Sequence, residues 1–218
     1  MKIDLREELL KVYDKPLMDE GPNIEVKTTD KSSAQYNVLA HLSTYFNDSI
    51  IVDMGTHTGN SAAALSYNKS NKVYTFDIAP TEEAAERFKR DEYKNIIYII
   101  GNCIENNWYG QPLGPFSTNL SEPLKSEKEI FLSSELIFLD IDPHDGVQEP
   151  QVLDFLITNN WKGIMVCDDI GHQHPPMHDW WNSIELPTYT IHNKYAAFKG
   201  TGIIVFDGQE VLSEVRLN

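Results

Sequence analysis

The sequence predicts a doubly wound α/β fold, in which a mostly parallel sheet carries helices on both faces. Apolar strand-like segments alternate with helix-like segments along most of the chain, and this alternation implies right-handed crossovers and a parallel sheet. The last two strand-like segments have no helix between them, which indicates an antiparallel pair at the end. The length of 218 residues suits one domain with a sizeable core.

The first part of the chain is expected to lie outside the alternating pattern. Residues 1–33 are predicted to form an N-terminal helical or cap segment with one short amphipathic helix, and residues 34–218 the main domain. Between residues 34 and 47 the apolar side chains recur at helical spacing, which predicts the first helix of that domain.

Seven strands are predicted in the main domain. They are expected at residues 49–55, 72–78, 95–102, 136–142, 163–170, 188–192 and 200–207. The fourth is an unbroken apolar run, which is typical of a strand buried on both faces. Helices are expected at residues 60–67, after Pro80, at 150–159, and over a stretch that carries Met177, Trp180, Trp181 and Ile184.

Acidic residues lie at the ends of four of the five predicted parallel strands. They are Asp53, Asp77, Asp140, Asp142, Asp168 and Asp169. Ligands of open α/β sheets bind beyond the carboxyl ends of the strands. A solvated strand end explains one or two of these acids, but the full set predicts a binding site at this edge.

The loop after the first strand has features of a nucleotide-binding loop. Gly55 and Gly59 let the backbone turn tightly and approach a ligand closely. The carboxylate of Asp77, at the end of the second strand, can accept hydrogen bonds from ribose hydroxyls. A dinucleotide-binding loop reads Gly-x-Gly-x-x-Gly, whereas this loop has two glycines and Asp53 just before them. An acid there disfavours a pyrophosphate and suits a cationic ligand, although an NAD(P)-binding oxidoreductase with an unusual loop stays open as an alternative.

The segment from Asp53 to Gly59, Asp-Met-Gly-Thr-His-Thr-Gly, resembles the S-adenosylmethionine (SAM) binding motif of class I methyltransferases. The resemblance implies a Rossmann-like seven-stranded sheet, a ribose-binding role for Asp77, and an adenine-bordering role for Asn102 and Cys103. It implies SAM binding by Asp53, Gly55, Thr56, His57, Gly59, Asn60, Ser61, Asp77, Ile78, Asn102, Cys103 and Asp140.

A second acidic cluster is expected where the fourth and fifth strands end. Neighbouring parallel strands lie about 5 Å apart, so Asp140, Asp168 and Asp169 could converge on one hard cation that relieves their repulsion. The pattern resembles the metal-dependent O-methyltransferases of the catechol and sugar types. In those enzymes acids at these positions hold Mg²⁺, which makes Mg²⁺ or Mn²⁺ an expected cofactor here.

Two residues are candidates for the base that removes the acceptor's proton. Asp142 matches the candidate base of the sugar-modifying enzymes. The catechol-type enzymes use a lysine just after the first metal ligand, and this sequence has Pro143 and His144 there. His144 is therefore a rival base because of the intrinsic pKa of imidazole.

The expected acceptor is a sugar, a glycan or another polyol-like small molecule. Trp180 and Trp181 have the spacing of core residues, and the alternative is that one of them faces the pocket. Residues 104–135 are expected to form either a substrate lid or a surface insertion. A separate zinc site made of His172, His174 and His178 is not expected. A metal-independent methyltransferase and a non-catalytic SAM-binding module are further alternatives.

Composition bears on partners and location. The chain has 18 Lys plus Arg, 33 Asp plus Glu and a net charge of −15, whereas nucleic-acid binders carry basic patches. No apolar run approaches the roughly 20 residues of a membrane span, and the first residues do not resemble a secretory signal. With Cys103 and Cys167 expected to be reduced thiols, we expect a cytoplasmic protein without nucleic-acid or membrane partners; a homo-oligomer is left open.

Overall fold

A computed structural model describes five parts of the chain. They are residues 2–13, 35–101, 127–191, 199–206 and 210–212. No helix within these ranges is long and apolar enough to cross a membrane.

Strands and helices alternate along the described chain. The strands are β1 (Lys2–Asp4), β2 (Ile50–Met54), β3 (Lys72–Asp77), β4 (Ile96–Ile100), β5 (Ser134–Leu139), β6 (Ile164–Asp168), β7 (Thr188–Ile191), β8 (Thr201–Val205) and β9 (Glu210–Leu212). The helices are α1 (Glu7–Leu10), α2 (Gln35–Ser43), α3 (Asn60–Leu65), α4 (Glu82–Arg87), α5 (Glu127–Ser133), α6 (Gln148–Thr158) and α7 (Pro175–Ser183), with 3₁₀ turns at Lys11–Tyr13 and Asp91–Tyr93.

The main sheet confirms the predicted architecture. Among the described residues it has seven strands in the order β4-β3-β2-β5-β6-β8-β7. The strands from β4 to β6 pair in parallel, and β8 is antiparallel to both β6 and β7. The order of connection reverses between β2 and β5. In such sheets a ligand crevice forms at the reversal, beyond the carboxyl ends of the strands.

The two faces of the sheet bury separate apolar cores, because successive side chains of a strand point to opposite faces. Ile51 of β2 belongs to the core that includes α2 and α3, and its neighbour Val52 belongs to the core that includes α5, α6 and α7. Trp180 and Trp181 are both buried in the second core. Their predicted core role is confirmed, and neither is among the described residues that line the cavity at the carboxyl ends of the strands.

Some element boundaries differ from the sequence predictions. Strand β5 ends at Leu139 instead of 142, so Asp140 and Asp142 lie in the loop beyond the strand. The backbone N–H of Asp140 still donates to the Met54 carbonyl at 2.9 Å, after which the chain leaves the sheet. Helix α6 begins at Gln148, two positions early, with Pro150 in its first turn, where a missing N–H removes no helical hydrogen bond.

The N-terminal residues contain a strand that the sequence did not indicate. β1 pairs in parallel with β9 to form a second, two-stranded sheet. Ile3, Leu5 and Leu10 are fully buried in the same core as α2. A three-residue strand is too short to show a period. The predicted domain boundary at 33/34 lies outside the described residues and stays a prediction.

His41 of α2 anchors this N-terminal segment. Its Nε2 lies 2.8 Å from the Asp4 carbonyl oxygen, so Nε2 carries the hydrogen and donates it. The Tyr13 hydroxyl then donates to Nδ1 at 3.1 Å. Burial lowers the pKa of His41 below its ordinary value, although the nearby Asp4 opposes this.

We predict that His41→Gln removes one contribution by which acid destabilises the fold. Because the folded-state pKa is depressed, the unfolded chain binds the proton first, so stability present above the unfolded-state pKa of 6.5 is lost as the pH falls below it. The loss is at most about 1.4 kcal/mol for each pH unit. Urea unfolding from pH 7.5 to 5 should show the unfolding free energy of wild type falling relative to that of the variant as the pH is lowered. The exposed His172→Gln control should keep the wild-type pH dependence, and an equal pH dependence for all three proteins would contradict the prediction.

Candidate active site

The glycine loop after β2 is folded tightly against the ends of β3 and β5. Gly55 has a φ of +101° and Gly59 a φ of +82°, values that favour glycine. A Cβ on Gly55 would lie 1.7 Å from the carbonyl oxygen of Asp140, and one on Gly59 would lie 2.6 Å from the Phe88 ring. The N–H of Gly55 donates to the Phe76 carbonyl at 2.9 Å. Glycine at these two positions therefore lets the loop pack directly against the Asp140 backbone and the Phe88 ring.

Asp53 lies beneath this loop and is fully buried. The Thr75 hydroxyl donates to its Oδ2 at 2.5 Å and also contacts the Thr56 hydroxyl at 2.6 Å. Burial raises the pKa of Asp53 to about 7, while hydrogen bonds from Thr75 and Ser61 oppose the rise. Asp53 thus anchors the loop from below, and its predicted direct contact with a ligand stays a prediction.

Asp77 ends β3 and faces the loop. Its Oδ2 accepts a hydrogen bond from the His57 N–H at 2.7 Å, and its Oδ1 accepts one from Ala79 at 3.2 Å. Each carboxylate oxygen has more than one lone pair, so both can still accept from a ligand. The next residue, Ile78, is 74% exposed and offers an apolar surface beside the carboxylate. Asn102 and Cys103, predicted to border the adenine, lie outside the described residues.

A cavity of about 470 Å³ runs from Asp77 along the glycine loop to the end of β5. Its walls comprise Met54, Gly55, His57, Phe76, Asp77, Ile78, Ala79, Thr81, Gly101, Asp140, Ile141, Asp142, His144 and Gln148. Five of the predicted SAM-binding residues therefore share one cavity. Of the other predicted residues that the structure describes, none lines the cavity: Asp53 lies beneath the loop, Thr56, Gly59 and Ser61 belong to the loop and the start of α3, and Asn60 accepts a hydrogen bond from Arg87 at 2.5 Å.

Carboxylates gather around His144 at the far end of this cavity. The His144 Nε2 lies 3.6 Å from Asp140 Oδ1, 3.5 Å from Asp142 Oδ1 and 3.5 Å from Asp169 Oδ2. Burial, together with the charges of Asp169 and Asp142, raises the pKa of Asp140 to about 7. Burial lowers the pKa of His144 although the carboxylates oppose this. The structure thus brings together four of the predicted site residues, Asp140, Asp142, His144 and Asp169.

Asp168 takes a different position from its neighbour. It is buried, and Gln35 Nε2 donates to its Oδ2 at 3.1 Å. The Thr201 hydroxyl lies 3.4 Å from its Oδ1. Burial and the nearby charges of Asp140 and Asp169 raise the pKa of Asp168 well above its usual range. The predicted set of three metal ligands is therefore not assembled around one point.

Two carboxylates nevertheless suit a hard cation. Within the described ranges, no group of three or more His, Cys, Asp or Glu side chains is arranged as a metal site. Mg²⁺, however, is usually held by one or two carboxylates, with waters and substrate oxygens as the other ligands. Asp140 and Asp169 supply two carboxylates that face the same His144 nitrogen. The donor set fits Mg²⁺ or Mn²⁺ through this pair.

Three residues of the site adopt left-handed backbone conformations that non-glycine residues rarely show. They are His57 at a φ of 43°, His144 at 54° and Asp169 at 57°. Such strain costs about 1–3 kcal/mol for each residue, persists where the surroundings enforce it, and is concentrated at functional sites. The backbone strain is therefore found at residues that lie beside the cavity or at its acidic end.

The sequence reasoning missed two contributors to the acidic cluster. Gln35 begins α2 and holds Asp168, and Lys199 places its Nζ 3.0 Å from Asp169 Oδ2. Lys199 could have been found from topology. Because β8 is antiparallel to β6, with Thr201 opposite Asp168, the start of β8 lies at the edge where β6 ends. Nothing in the sequence indicated a role for Gln35, because it is a single polar residue at the start of an amphipathic helix.

Solved methyltransferase structures share this fold. The chain matches an S-adenosylhomocysteine-bound methyltransferase from Podospora anserina at 14% identity and a TM-score of 0.54, covering 92% of this chain and 88% of the other. It matches the O-methyltransferase from Bacillus cereus in complex with S-adenosylhomocysteine at 15% identity and a TM-score of 0.53, covering 92% and 90%. The O-methyltransferase TomG from Streptomyces achromogenes, involved in tomaymycin synthesis and solved with SAM, also gives 15% and 0.53, covering 92% and 91%.

These likenesses establish the fold: the chain shares the predicted Rossmann-like sheet with solved methyltransferase structures. No protein-family model and no curated protein sequence matches the chain.

We predict that Asp77→Asn weakens binding of S-adenosylhomocysteine by about 10- to 100-fold, because hydrogen bonds to a charged acceptor contribute about 1.5–3 kcal/mol. Isothermal titration calorimetry of the variant and wild type measures the difference. Asp91→Asn, which removes an exposed carboxylate from a distant 3₁₀ turn, is the matched control. Equal affinities of Asp77→Asn and this control would place the ribose elsewhere.

Proposed function

We propose that the protein is an O-methyltransferase that transfers the methyl group of SAM to a hydroxyl of a sugar, a glycan or another polyol-like small molecule, with Mg²⁺ or Mn²⁺ as cofactor. One observation carries the proposal. A single cavity joins a wall suited to a nucleoside, at Asp77 and Ile78, to a histidine surrounded by carboxylates at His144.

The nucleoside end supports SAM as the methyl donor. Asp77 presents a fixed carboxylate, and Ile78 presents an exposed apolar side chain beside it. Gly55 lets the loop pack directly against the Asp140 backbone, since any side chain there would collide with the Asp140 carbonyl. Structures with the same fold contain SAM or S-adenosylhomocysteine.

The other end supports proton removal by His144. Its ring lines the cavity, and its pKa lies below the ordinary value, so Nε2 is free to accept a proton near neutral pH. The side chain of Asp142 is 96% exposed. We therefore assign the base to His144 and give Asp142 a place at the rim of the cavity.

Asp140 and Asp169 would hold the metal ion. When bound, the ion lowers the pKa of the acceptor hydroxyl and the sulfonium of SAM supplies the electrophilic methyl group. His144 receives the hydroxyl proton, and the walls of the cavity orient the acceptor. Such division of roles requires that the acceptor oxygen lie near the His144 nitrogen, at the acidic end of the cavity.

The charge at that end favours a hydroxyl-rich acceptor. Asp140 and Asp142 both line the cavity, and ionised carboxylates act only as hydrogen-bond acceptors, which suits the hydroxyls of a polyol. An anionic acceptor would be repelled by the same groups. With Trp180 and Trp181 buried in the core, stacking on a sugar face gives no support, so the preference rests on this hydrogen-bonding chemistry.

Metal removal provides the first test of the proposal. We expect EDTA treatment to lower methyl transfer to polyol acceptors by about 100-fold or more, since a metal ion supplies several kcal/mol of charge stabilisation. Release of S-adenosylhomocysteine measures turnover, and Mn²⁺ should restore it. Calorimetry should show that EDTA leaves S-adenosylhomocysteine affinity unchanged. Full turnover in EDTA would favour a metal-independent methyltransferase.

Substitution of the proposed base is the second test. His144→Gln should lower kcat by about 10²- to 10⁴-fold, the usual contribution of a general base, with little change in S-adenosylhomocysteine affinity. His172→Gln replaces an exposed histidine outside the cavity and is the matched control. Asp142→Asn should have a small effect. A larger loss of kcat in Asp142→Asn than in His144→Gln would reassign the base to Asp142.

A further inference from the structure

Lys199 reaches the acidic cluster from the turn before β8, whereas the acids lie at or beyond the ends of β5 and β6. It precedes β8, whose first residue Thr201 lies opposite Asp168 at the end of β6. The N–H of Gly171 donates to the Lys199 carbonyl at 2.6 Å. A Cβ on Gly171 would lie 2.4 Å from that same carbonyl oxygen. The backbone of Lys199 is thus fixed beside the turn that carries Asp169.

The Lys199 ammonium shares one carboxylate oxygen with two histidines. Nζ lies 3.0 Å from Asp169 Oδ2, and the Nε2 atoms of His174 and His144 lie 3.4 Å and 3.5 Å from the same atom. The ammonium of Lys199 is a compact point charge at neutral pH. Lys199 therefore supplies the lasting positive charge beside Asp169.

This position conflicts with a divalent ion on Asp169. An ammonium and a metal ion repel each other at a few ångströms, and both require the electron pairs of the same carboxylate. The side chain of Lys199 is 47% exposed and has a flexible four-carbon stem, so the ammonium can move into solvent at low cost. The carboxylate of Asp169 is nearly buried and cannot move out in the same way.

We infer that Lys199 is the resident counter-cation of the acidic cluster, and that it leaves Asp169 when a divalent metal ion binds there. Lys199 is then a positioning residue that sets the affinity of the site for metal, and the inference rests on the metal dependence in the proposed function. In the metal-free protein it neutralises Asp169. On metal binding its ammonium enters solvent, so the metal must displace a positive charge that the chain itself provides.

The first experiment compares Mn²⁺ binding in charge-matched variants. Titration of Mn²⁺ into protein saturated with S-adenosylhomocysteine, followed by the electron paramagnetic resonance signal of free Mn²⁺, should give about tenfold or tighter binding for Lys199→Met than for wild type. Lys199→Arg keeps the charge and should bind Mn²⁺ like wild type. Lys94→Met removes an equal charge from an exposed pair with Asp91 and should also leave the affinity unchanged.

The second experiment uses the wild-type protein and needs no substitution. Acetylation of lysines by a water-soluble reagent, mapped by mass spectrometry, should proceed several-fold faster at Lys199 when Mg²⁺ is added, because the ammonium loses its partner. The rate at Lys94 should stay constant.

Specific outcomes overturn the inference. If wild type binds Mn²⁺ and Lys199→Met has the same affinity, or a weaker one, Lys199 is a bystander or helps to order Asp169 for the metal, and the proposed function stands. If neither protein binds Mn²⁺, the metal dependence fails together with the inference. Mg²⁺-independent acetylation of Lys199 in a protein that binds Mg²⁺ would also refute the exchange.

Discussion

The close approach of Gly55 to the backbone of Asp140 is the constraint on which the site depends. The N–H of Asp140 donates to Met54, and the space where a Gly55 Cβ would lie is occupied by the Asp140 carbonyl. This contact joins the ends of β2 and β5, the two strands at which the order of the sheet reverses. Because of it, the glycine loop and the acidic residues line one cavity. A side chain at position 55 would force the two halves of the cavity apart.

The acids at this edge are costly, and each is compensated in a different way. An unpaired buried carboxylate loses its hydration and raises its pKa. Asp53 receives the Thr75 hydroxyl, Asp168 receives the amide of Gln35, and Asp169 faces Lys199. None of these partners is near its acid in sequence. The fold therefore supplies, from α2, β3 and the start of β8, the hydrogen-bond donors and the positive charge that offset the cost of burying these acids.

The sequence was sufficient for those features that repeat or that need glycine. Apolar segments in regular alternation with helices predicted the sheet and its antiparallel end, and the loop from Gly55 to Gly59 pointed to a fold that solved methyltransferase structures share. Strand β1 was not predicted because three residues are too few to show an alternating pattern, and because its partner β9 lies at the other end of the chain. Long-range pairing of short segments leaves no local signal.

The acidic cluster shows a different limit. Asp168 and Asp169 are adjacent, and the sequence could not tell which of them faces the cavity. Asp168 is the last residue of β6 and points to Gln35, which is 133 positions away, whereas Asp169 turns through a left-handed conformation toward His144. A single backbone turn decides which acid faces His144. Residue type and spacing therefore predicted which residues belong to the cluster, but not which side chain each of them contacts.

Lys199 also explains why a histidine can follow Asp140 where catechol-type enzymes have a lysine. The positive charge is present in this site, but it comes from the start of β8. Lys199 and His174 both lower the pKa of His144, which opposes the surrounding carboxylates. In the metal-free protein the cation beside Asp169 therefore helps to keep the imidazole neutral, as a proton acceptor requires, and a divalent ion that took its place would act in the same direction. Placing charge and base on two different segments lets each be tuned by its own surroundings, which one lysine after Asp140 would not allow.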